Sequence, residues 1–349
     1  MTVEEMVAKA KADGASDIHI VCGLPPKYRH SGKVQAMCDE VLTPDDCFQI
    51  ARYLSGNEEN YEKFLDWGEL DAAATYAGNR TRIHIFKAQG VPSAALRLLS
   101  EFIPRLDTLG LPPAVAPLTG LHKGIVLVTG ETGSGKSTTL AALIDEINHT
   151  REDHIVTLED PVEYLYKPDK CVINQREVGK DTKSFAEGLR ASLREDPNVI
   201  LIGEMRDRDT IETAITAAET GHLVFGTLHT GSASDAVDRI VQVFPADEQT
   251  QIRLQLSMTL QAVITQQLCP KKGGGRALAC ELMIVTDAIR NLIRAGNTPQ
   301  IANAVATSAQ IGGQTMDMAL VKLVRAGQIT REDALHYAKD ADYVKKNAI

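Results

Sequence analysis

The sequence predicts an α/β protein in two parts, a small α+β unit followed by a larger unit built on a parallel sheet. Length is the first reason, because 349 residues exceed one ordinary domain of about 150 residues. The second is a run of breakers between about Phe102 and Leu118, where Pro104, Gly110, Pro112, Pro113 and Pro117 mark a linker. The third is the pattern beyond it. Apolar runs at 125–128, 155–158, 199–202 and 223–227 alternate with helical stretches. Such alternation gives a parallel sheet covered on both faces, with ligands bound at the C-terminal strand ends. The expected organisation is a first domain over 1–100, a linker over 101–118 and a second domain over 119–349, mainly helical from 266.

In the first part, Val3, Met6, Val7 and Ala10 recur at helical spacing, and Thr2 with Glu5 fits a capping box. Gly14 ends that helix. Residues 16–21 alternate as a strand, with Asp17 and His19 on one face and Ile18 and Ile20 on the other. Pro25 and Pro26 break it. Further strands are expected at 33–37, 70–76, 80–86 and 94–99, with a helix at about 45–54, which makes a mostly antiparallel sheet. In the second part, Phe185, Leu189 and Leu193 mark one helix, and Ile211, Ala214, Ile215 and Ala218 mark another. After Gln267 the pattern reads as helical. A glycine-rich surface loop at 271–276 precedes helices at 286–295 and 301–309. A stripe of Met316, Leu320, Leu323 and Val324 marks the next, and Thr330 with Asp333 caps a last one.

Composition narrows the function. Hydrophobic residues make up 44% and charged residues 24%, as in soluble globular proteins. The acidic N-terminus is not a secretory signal, and no apolar run approaches the ~20 residues that span a bilayer. A membrane role would therefore be peripheral. The six cysteines form no C-x-x-C pair, so reduced cytosolic thiols are expected rather than a metal site or disulfides. A formal charge of −9 and 5% aromatic residues disfavour a nucleic-acid binder.

The sharpest chemical signal is Gly130-Glu131-Thr132-Gly133-Ser134-Gly135-Lys136-Ser137, which fits the phosphate-binding pattern G-x-x-x-x-G-K-[ST]. It lies between an expected strand and an expected helix. Gly130, Gly133 and Gly135 let backbone N–H groups turn toward phosphate oxygens, and Thr132, Ser134 and Thr138 belong to the same binding set. Lys136 reaches the β- and γ-phosphates, and Ser137 offers a hydroxyl to Mg²⁺. The ligand is a nucleoside triphosphate.

Further strand ends add reactive groups. Glu159, Asp160 and Glu163 form an acidic loop, and Glu163 is the candidate base for an attacking water. The apolar strand at 199–202 leads to Gly203-Glu204. Gly203 stands where most such ATPases place Asp, so Glu204 takes over Mg²⁺ support through a water. His222 and His229 bracket another strand as candidate phosphate sensors. Arg80, Arg82 and His84 share one strand face, and Arg97 follows. Such arginines act as fingers on a γ-phosphate in oligomeric ATPases.

Together these stretches resemble the secretion ATPase superfamily of type II secretion and type IV pili over nearly the whole chain. Its Walker A matches 130–137, its Asp box 157–163, its Walker B 199–204 and its His box 221–229. Ala15-Ser16-Asp17-Ile18-His19 resembles the N-terminal signature, and Asn174-Gln175-Arg176-Glu177-Val178-Gly179 is similar to a further family stretch. Ala288-Ile289-Arg290-Asn291-Leu292-Ile293-Arg294 matches a motif of the branch that retracts pili.

The resemblance implies a PAS-like N-terminal domain, a RecA-like ATPase domain and a homo-hexameric ring with ATP between the domains. It implies ATP and Mg²⁺ as ligands, Glu163 as general base, Glu204 at the metal, and Arg82 and Arg97 as γ-phosphate contacts. The implied function is ATP-driven retraction of type IV pili, with an inner-membrane platform protein as partner at the cytoplasmic face. Zinc is not expected, because the four-cysteine insertion usual in assembly relatives cannot form here, and the acidic balance leaves no nucleic-acid partner expected. An assembly or secretion ATPase of the same superfamily is the nearest alternative. A slowly hydrolysing nucleotide-dependent interaction module and a nucleic-acid motor are others, the last disfavoured by the acidic balance. Two departures stand out. Glu131 stands where relatives commonly carry Pro, and residues 21–29 match only in part.

Overall fold

The computed structural model describes residues 1–30, 32–99 and 102–348. The domain boundary expected between residues 100 and 101 lies outside the described residues. The chain divides into two units, Met1–Phe102 with Pro161–Leu165, and Ile103–Asp160 with Tyr166–Ile349.

In the first unit, α1 (Val3–Ala12) starts at the predicted capping box, with Thr2 and Glu5 bonding each other's backbone N–H groups. Strands β1 (Asp17–Ile20), β2 (Lys27–His30) and β3 (Lys33–Ala36) come next, then helices α2 (Pro44–Leu54) and α3 (Glu58–Trp67). Strands β4 (Glu69–Tyr76), β5 (Asn79–Ala88) and β6 (Val91–Leu98) complete the unit. The sheet runs β3-β2-β1-β6-β5-β4 with every neighbouring pair antiparallel. Strand alternation drives Ile18, Ile20, Ile83, Ile85 and Leu96 onto one face, where they pack with Met6, Val7, Leu54 and Phe64. The opposite face carries Asp17, Arg82 and Arg97. Both β2 and α3 are additions to the sequence reading.

In the second unit, two 3₁₀ turns (Leu106–Thr108 and Pro113–Gly120) occupy the proline-rich stretch. Their Leu106, Val115 and Leu118 are buried in the core. Strand β7 (Gly124–Thr129) leads into α4 (Lys136–Thr150), followed by β8 (His154–Glu159), β9 (Val172–Glu177), α5 (Phe185–Ser192) and β10 (Val199–Ile202). Then come α6 (Arg208–Glu219), β11 (Leu223–Leu228), α7 (Ala233–Gln242), α8 (Gln249–Thr259), β12 (Leu260–Pro270) and β13 (Arg276–Ile284). Helices α9 (Asp287–Ala295), α10 (Ile301–Ala306), α11 (Met316–Arg325), α12 (Arg331–Tyr337) and α13 (Ala341–Asn347) close the chain.

The second sheet has the order β13-β12-β7-β11-β10-β8-β9, parallel throughout except for the antiparallel edge pair β12–β13. Strands β7, β10 and β11 at its centre are buried on both sides. Ile125 and Leu127 of β7 face the layer that includes α6 to α9, while Val126 and Val128 face α4 and the 3₁₀ turns. Leu140, Leu143, Ile144 and Ile147 anchor α4 to that face, each contributing about 1.5–3 kcal/mol of transfer free energy. The fold is thus α/β, with a helical C-terminal part packed on the end of the β12–β13 hairpin through Leu320, Ile329 and Val344.

Helical structure was expected to follow Gln267, but β12 continues to Pro270 and β13 follows. Val263 and Ile264 pair with Leu127 and Val128 of β7, a contact far away in sequence. The loop at 271–276 is the turn of this hairpin. Among the described residues no helix is long and apolar enough to cross a membrane.

Arg290 ties α9 to α8. Its guanidinium donates to the carbonyls of Ser257 (2.6 Å), Met258 (3.1 Å) and Leu260 (3.4 Å) and to the Gln261 side-chain oxygen (3.3 Å). It therefore satisfies C-terminal carbonyls that a helix leaves without partners. Asn291 and Arg294 lie exposed, and among the described residues Arg294 donates only to Asn291, at 3.4 Å. Arg290→Ala should cost about 2 kcal/mol and lower the thermal midpoint by several degrees, whereas Arg294→Ala should leave it unchanged. Differential scanning calorimetry of the two variants checks this.

Candidate functional site

The phosphate loop joins β7 to α4, and its geometry depends on glycine at one crowded point. Gly130 has φ +141°, and a Cβ there would lie 2.4 Å from the Gln266 carbonyl oxygen and 2.6 Å from Ser134 Oγ. Gly135, with φ +95°, is the N-cap of α4 and supplies no side chain to its first turn. Those N–H groups and the helix dipole therefore face an anion site. Lys136 Nζ donates to the carbonyls of Gly130 and Glu131, both at 2.8 Å, which folds the loop over its own cation. Ser134 Oγ is buried and has no hydrogen-bond partner among the described residues. Thr132, Gly133 and Ser137 are exposed, and Thr138 is half-buried. The Glu131 side chain is exposed as well, and the carbonyl that accepts from Lys136 is one that proline would also supply.

One strand removed from β7, β10 sits between β8 and β11. Gly203 N–H donates to the Leu158 carbonyl at 2.7 Å, and Thr227 Oγ1 donates to the Gly203 carbonyl at 2.5 Å. A Cβ on Gly203 would come within 3.1 Å of the Leu158 oxygen and 3.3 Å of Glu159 Cα. That closeness gives a physical reason for glycine where Asp is usual. The carboxylate moves one residue on, to Glu204. His229 Nε2 lies 3.0 Å from Glu204 Oε1, and Arg206 pairs with the same oxygen.

The two histidines part company. His229, at the C-terminal end of β11, joins Glu204. His222, before the start of that strand, bonds through Nδ1 to the Ala217 carbonyl (2.8 Å) and Thr220 Oγ1 (3.2 Å) at the end of α6. A strand of this length separates them by roughly 20 Å. Of the acidic loop, Glu159 Oε1 accepts from Thr157 Oγ1 (2.7 Å) and Gln175 Nε2 (3.2 Å). Half-buried Glu163 lies in the Pro161–Leu165 segment of the first unit, where Arg80 Nε donates to the Val162 carbonyl at 3.2 Å.

The first unit thus carries Glu163, Arg82 and Arg97 on one body. Arg82 and Arg97 are direct cross-strand neighbours, and Asp17 is the β1 neighbour of Arg97. Like charges placed opposite each other repel. Asp17 Oδ1 meets Arg97 Nε at 2.9 Å and offsets one of the two charges. Burial pushes the Asp17 carboxyl up, but hydrogen bonds from Ser16 and Arg97, with the Arg97 charge, hold it below the usual range. Arg82 is exposed and forms no ion pair among the described residues. Asp17, Thr227, Gln175 and the pairing of Arg206 went unassigned in the sequence. For Asp17, the signal available was its polar face on an alternating strand.

Strand, glycine turn, Lys136 and a capless helix define a nucleotide-binding P-loop protein. The family model for Type II/IV secretion system proteins matches residues 92–308, and the chain belongs to that family. It is 45% identical over 342 residues to the type IV pilus retractation ATPase PilT of Pseudomonas aeruginosa, covering 97% of this chain and 98% of that protein. A crystal structure of the pilus retraction motor PilT with bound ADP matches with a TM-score of 0.93 and 47% identity, covering 99% of each chain. The ATPase DotB of Legionella pneumophila matches with a TM-score of 0.80 and 27% identity, over 96% of this chain and 95% of that one. The chain is an ATPase of this family.

Sterics separate two glycine substitutions in the loop. Gly130→Ala places a methyl group against backbone, whereas Gly133 has nothing within 4 Å of its Cβ direction and costs only φ strain. Gly130→Ala should weaken ADP binding by well over tenfold and Gly133→Ala by distinctly less, as measured by isothermal titration calorimetry.

Proposed function

We propose that this chain is the ATP-driven motor of type IV pilus retraction, working as a homo-hexamer at the cytoplasmic face of the inner membrane beside a platform protein of the pilus. The observation that carries the reading is the end-to-end match to a retraction ATPase in both sequence and structure. The motif at 288–294 supports it: Ala288, Asn291 and Arg294 are exposed, while Arg290 is taken up in capping α8.

The site fits Mg-ATP. The Gly130 cradle and the capless start of α4 suit phosphate oxygens. Ser137 and Glu204 are hard oxygen donors of the kind Mg²⁺ takes, with nucleotide phosphates and waters completing the shell. Among the described residues no cluster of three or more His, Cys, Asp or Glu is arranged to hold a metal by itself, so the ion would enter with its nucleotide. Bound Mg²⁺ supplies neutralisation of the charge on the β- and γ-phosphate oxygens.

The chain's own residues then divide the work. The loop N–H groups and Lys136 hold the phosphates. Glu163 orients the attacking water and takes its proton. Arg82 and Arg97 stabilise charge on the γ-phosphate, Arg82 as the less committed of the two. His229, with Nε2 3.0 Å from Glu204 Oε1, relays the state of the γ-phosphate to the end of β11. Arginine contacts made only with ATP give a closed arrangement its advantage over an open one.

Glu163→Gln should lower ATP turnover by about 10²–10⁴-fold while ADP and ATP still bind with unchanged affinity. Coupled-enzyme turnover and equilibrium binding check this together, and turnover at the native rate removes Glu163 from the base role. Cells lacking the gene should keep their pili and lose retraction; bald cells would point to assembly instead.

A further inference from the structure

Beside the phosphate loop, wholly within the second unit, lies a cavity of about 420 Å³ whose walls include Thr132, Glu204, Arg206, His229, Thr230 and Arg239. Thr132 belongs to the loop, so the cavity is continuous with the place where phosphate is held. Glu204 is engaged by both Arg206 and His229. Arg239 is different. It is exposed on α7 and makes no hydrogen bond or ion pair among the described residues. One carboxylate therefore faces two guanidiniums, and the excess positive charge sits on Arg239. The Thr230 hydroxyl oxygen is buried with no hydrogen-bond partner among the described residues, which leaves a neutral donor along the same wall.

We propose that this cavity is the exit site for the inorganic phosphate released by hydrolysis, and that Arg239 is its ligand. The proposal rests on the ATPase reading. Hydrolysis breaks the bond from the γ-phosphorus to the bridging oxygen and forms one to the oxygen of water. The product is a free phosphate dianion, while ADP keeps its own phosphates on the loop. The dianion must leave past groups that do not retain it with ADP. A guanidinium offers two parallel N–H donors to two phosphate oxygens, a fit that ammonium lacks. The cavity is far larger than one phosphate, so it suits passage and transient capture rather than tight enclosure. Buried Val237 and Ile240 hold α7 against the sheet and fix the base from which Arg239 extends.

The test is equilibrium binding of inorganic phosphate to the full-length protein saturated with ADP and magnesium, read by phosphorus NMR line broadening. Arg239→Gln should weaken phosphate binding about tenfold, the loss expected for one charge-assisted contact, and Arg239→Lys should weaken it less. ADP affinity should stay at the native value in both variants. In steady-state turnover, Arg239→Gln should need correspondingly more phosphate for half-inhibition. Equal phosphate affinity in the native protein and Arg239→Gln overturns the proposal, as does an absence of measurable phosphate binding in the native protein. A change in oligomeric state with phosphate binding intact also overturns it, by assigning Arg239 to a contact between copies. The binding measurement needs no turnover. A protein that captures phosphate through Arg239 yet fails to hydrolyse ATP would keep the phosphate contact and overturn its role as an exit for a hydrolysis product.

Discussion

Where β7 ends, the chain must turn between the β12 edge and the start of α4, and at Gly130 there is no space for a side chain. The Gln266 carbonyl stands on one side of that point and the Ser134 hydroxyl on the other. Much of the second unit follows from this contact. Gln266 is on β12, so the strand added beside β7 closes the crowded side of the turn. Its Nε2 also donates to Thr139 Oγ1 on α4 at 2.6 Å, which joins strand and helix across the loop. The loop is thus braced from both of its flanks, and its N–H groups are aimed before any ligand arrives. Preorganised donors of this kind cost no reorganisation at the moment of reaction.

A second close approach complements the first. Gly203 lets the ends of β10 and β8 come together, and Thr227 of β11 bonds to the Gly203 carbonyl. Three adjacent strand ends are therefore locked in register. Glu204 emerges from them already oriented by His229 and Arg206. Two glycines at strand ends on either side of β11 serve unlike purposes: one makes room for a left-handed turn, and the other makes room for a neighbouring strand.

Local chemistry made much of this legible in the sequence. The phosphate loop, the buried parallel strands and the caps at Thr2 and Thr330 rest on residues within a few positions of one another. What escaped was mostly non-local. Residues 260–270 follow directly on α8 and carry three glutamines, so their pairing with β7 has no local signature. Lys27–His30 holds one buried residue, Tyr28, and the alternation is too weak to mark a strand. Val172–Glu177 is an edge strand with mostly polar, partly exposed residues. Helix α3 did have signals, an Asn57 cap and a left-handed Gly68 at its end, but its apolar face reduces to Phe64. In the site, Glu163 and Glu204 could be picked out by their motifs. The pairing of Arg97 with Asp17 could not, because it depends on the register of strands about 80 positions apart.

The short stretch Pro161–Leu165 belongs to the first unit although the second unit flanks it on both sides. The polypeptide therefore passes between the units at three points along its length rather than one. A fragment ending at residue 102 would be an incomplete body, missing the piece whose Val162 carbonyl receives Arg80. For the same reason, exchanging the first unit between relatives means transplanting a discontinuous pair of segments. Recombination at the proline-rich stretch alone would separate Arg80 from its native acceptor. A chain that returns to its first unit in this way makes the two units inherit change together, as one genetic block.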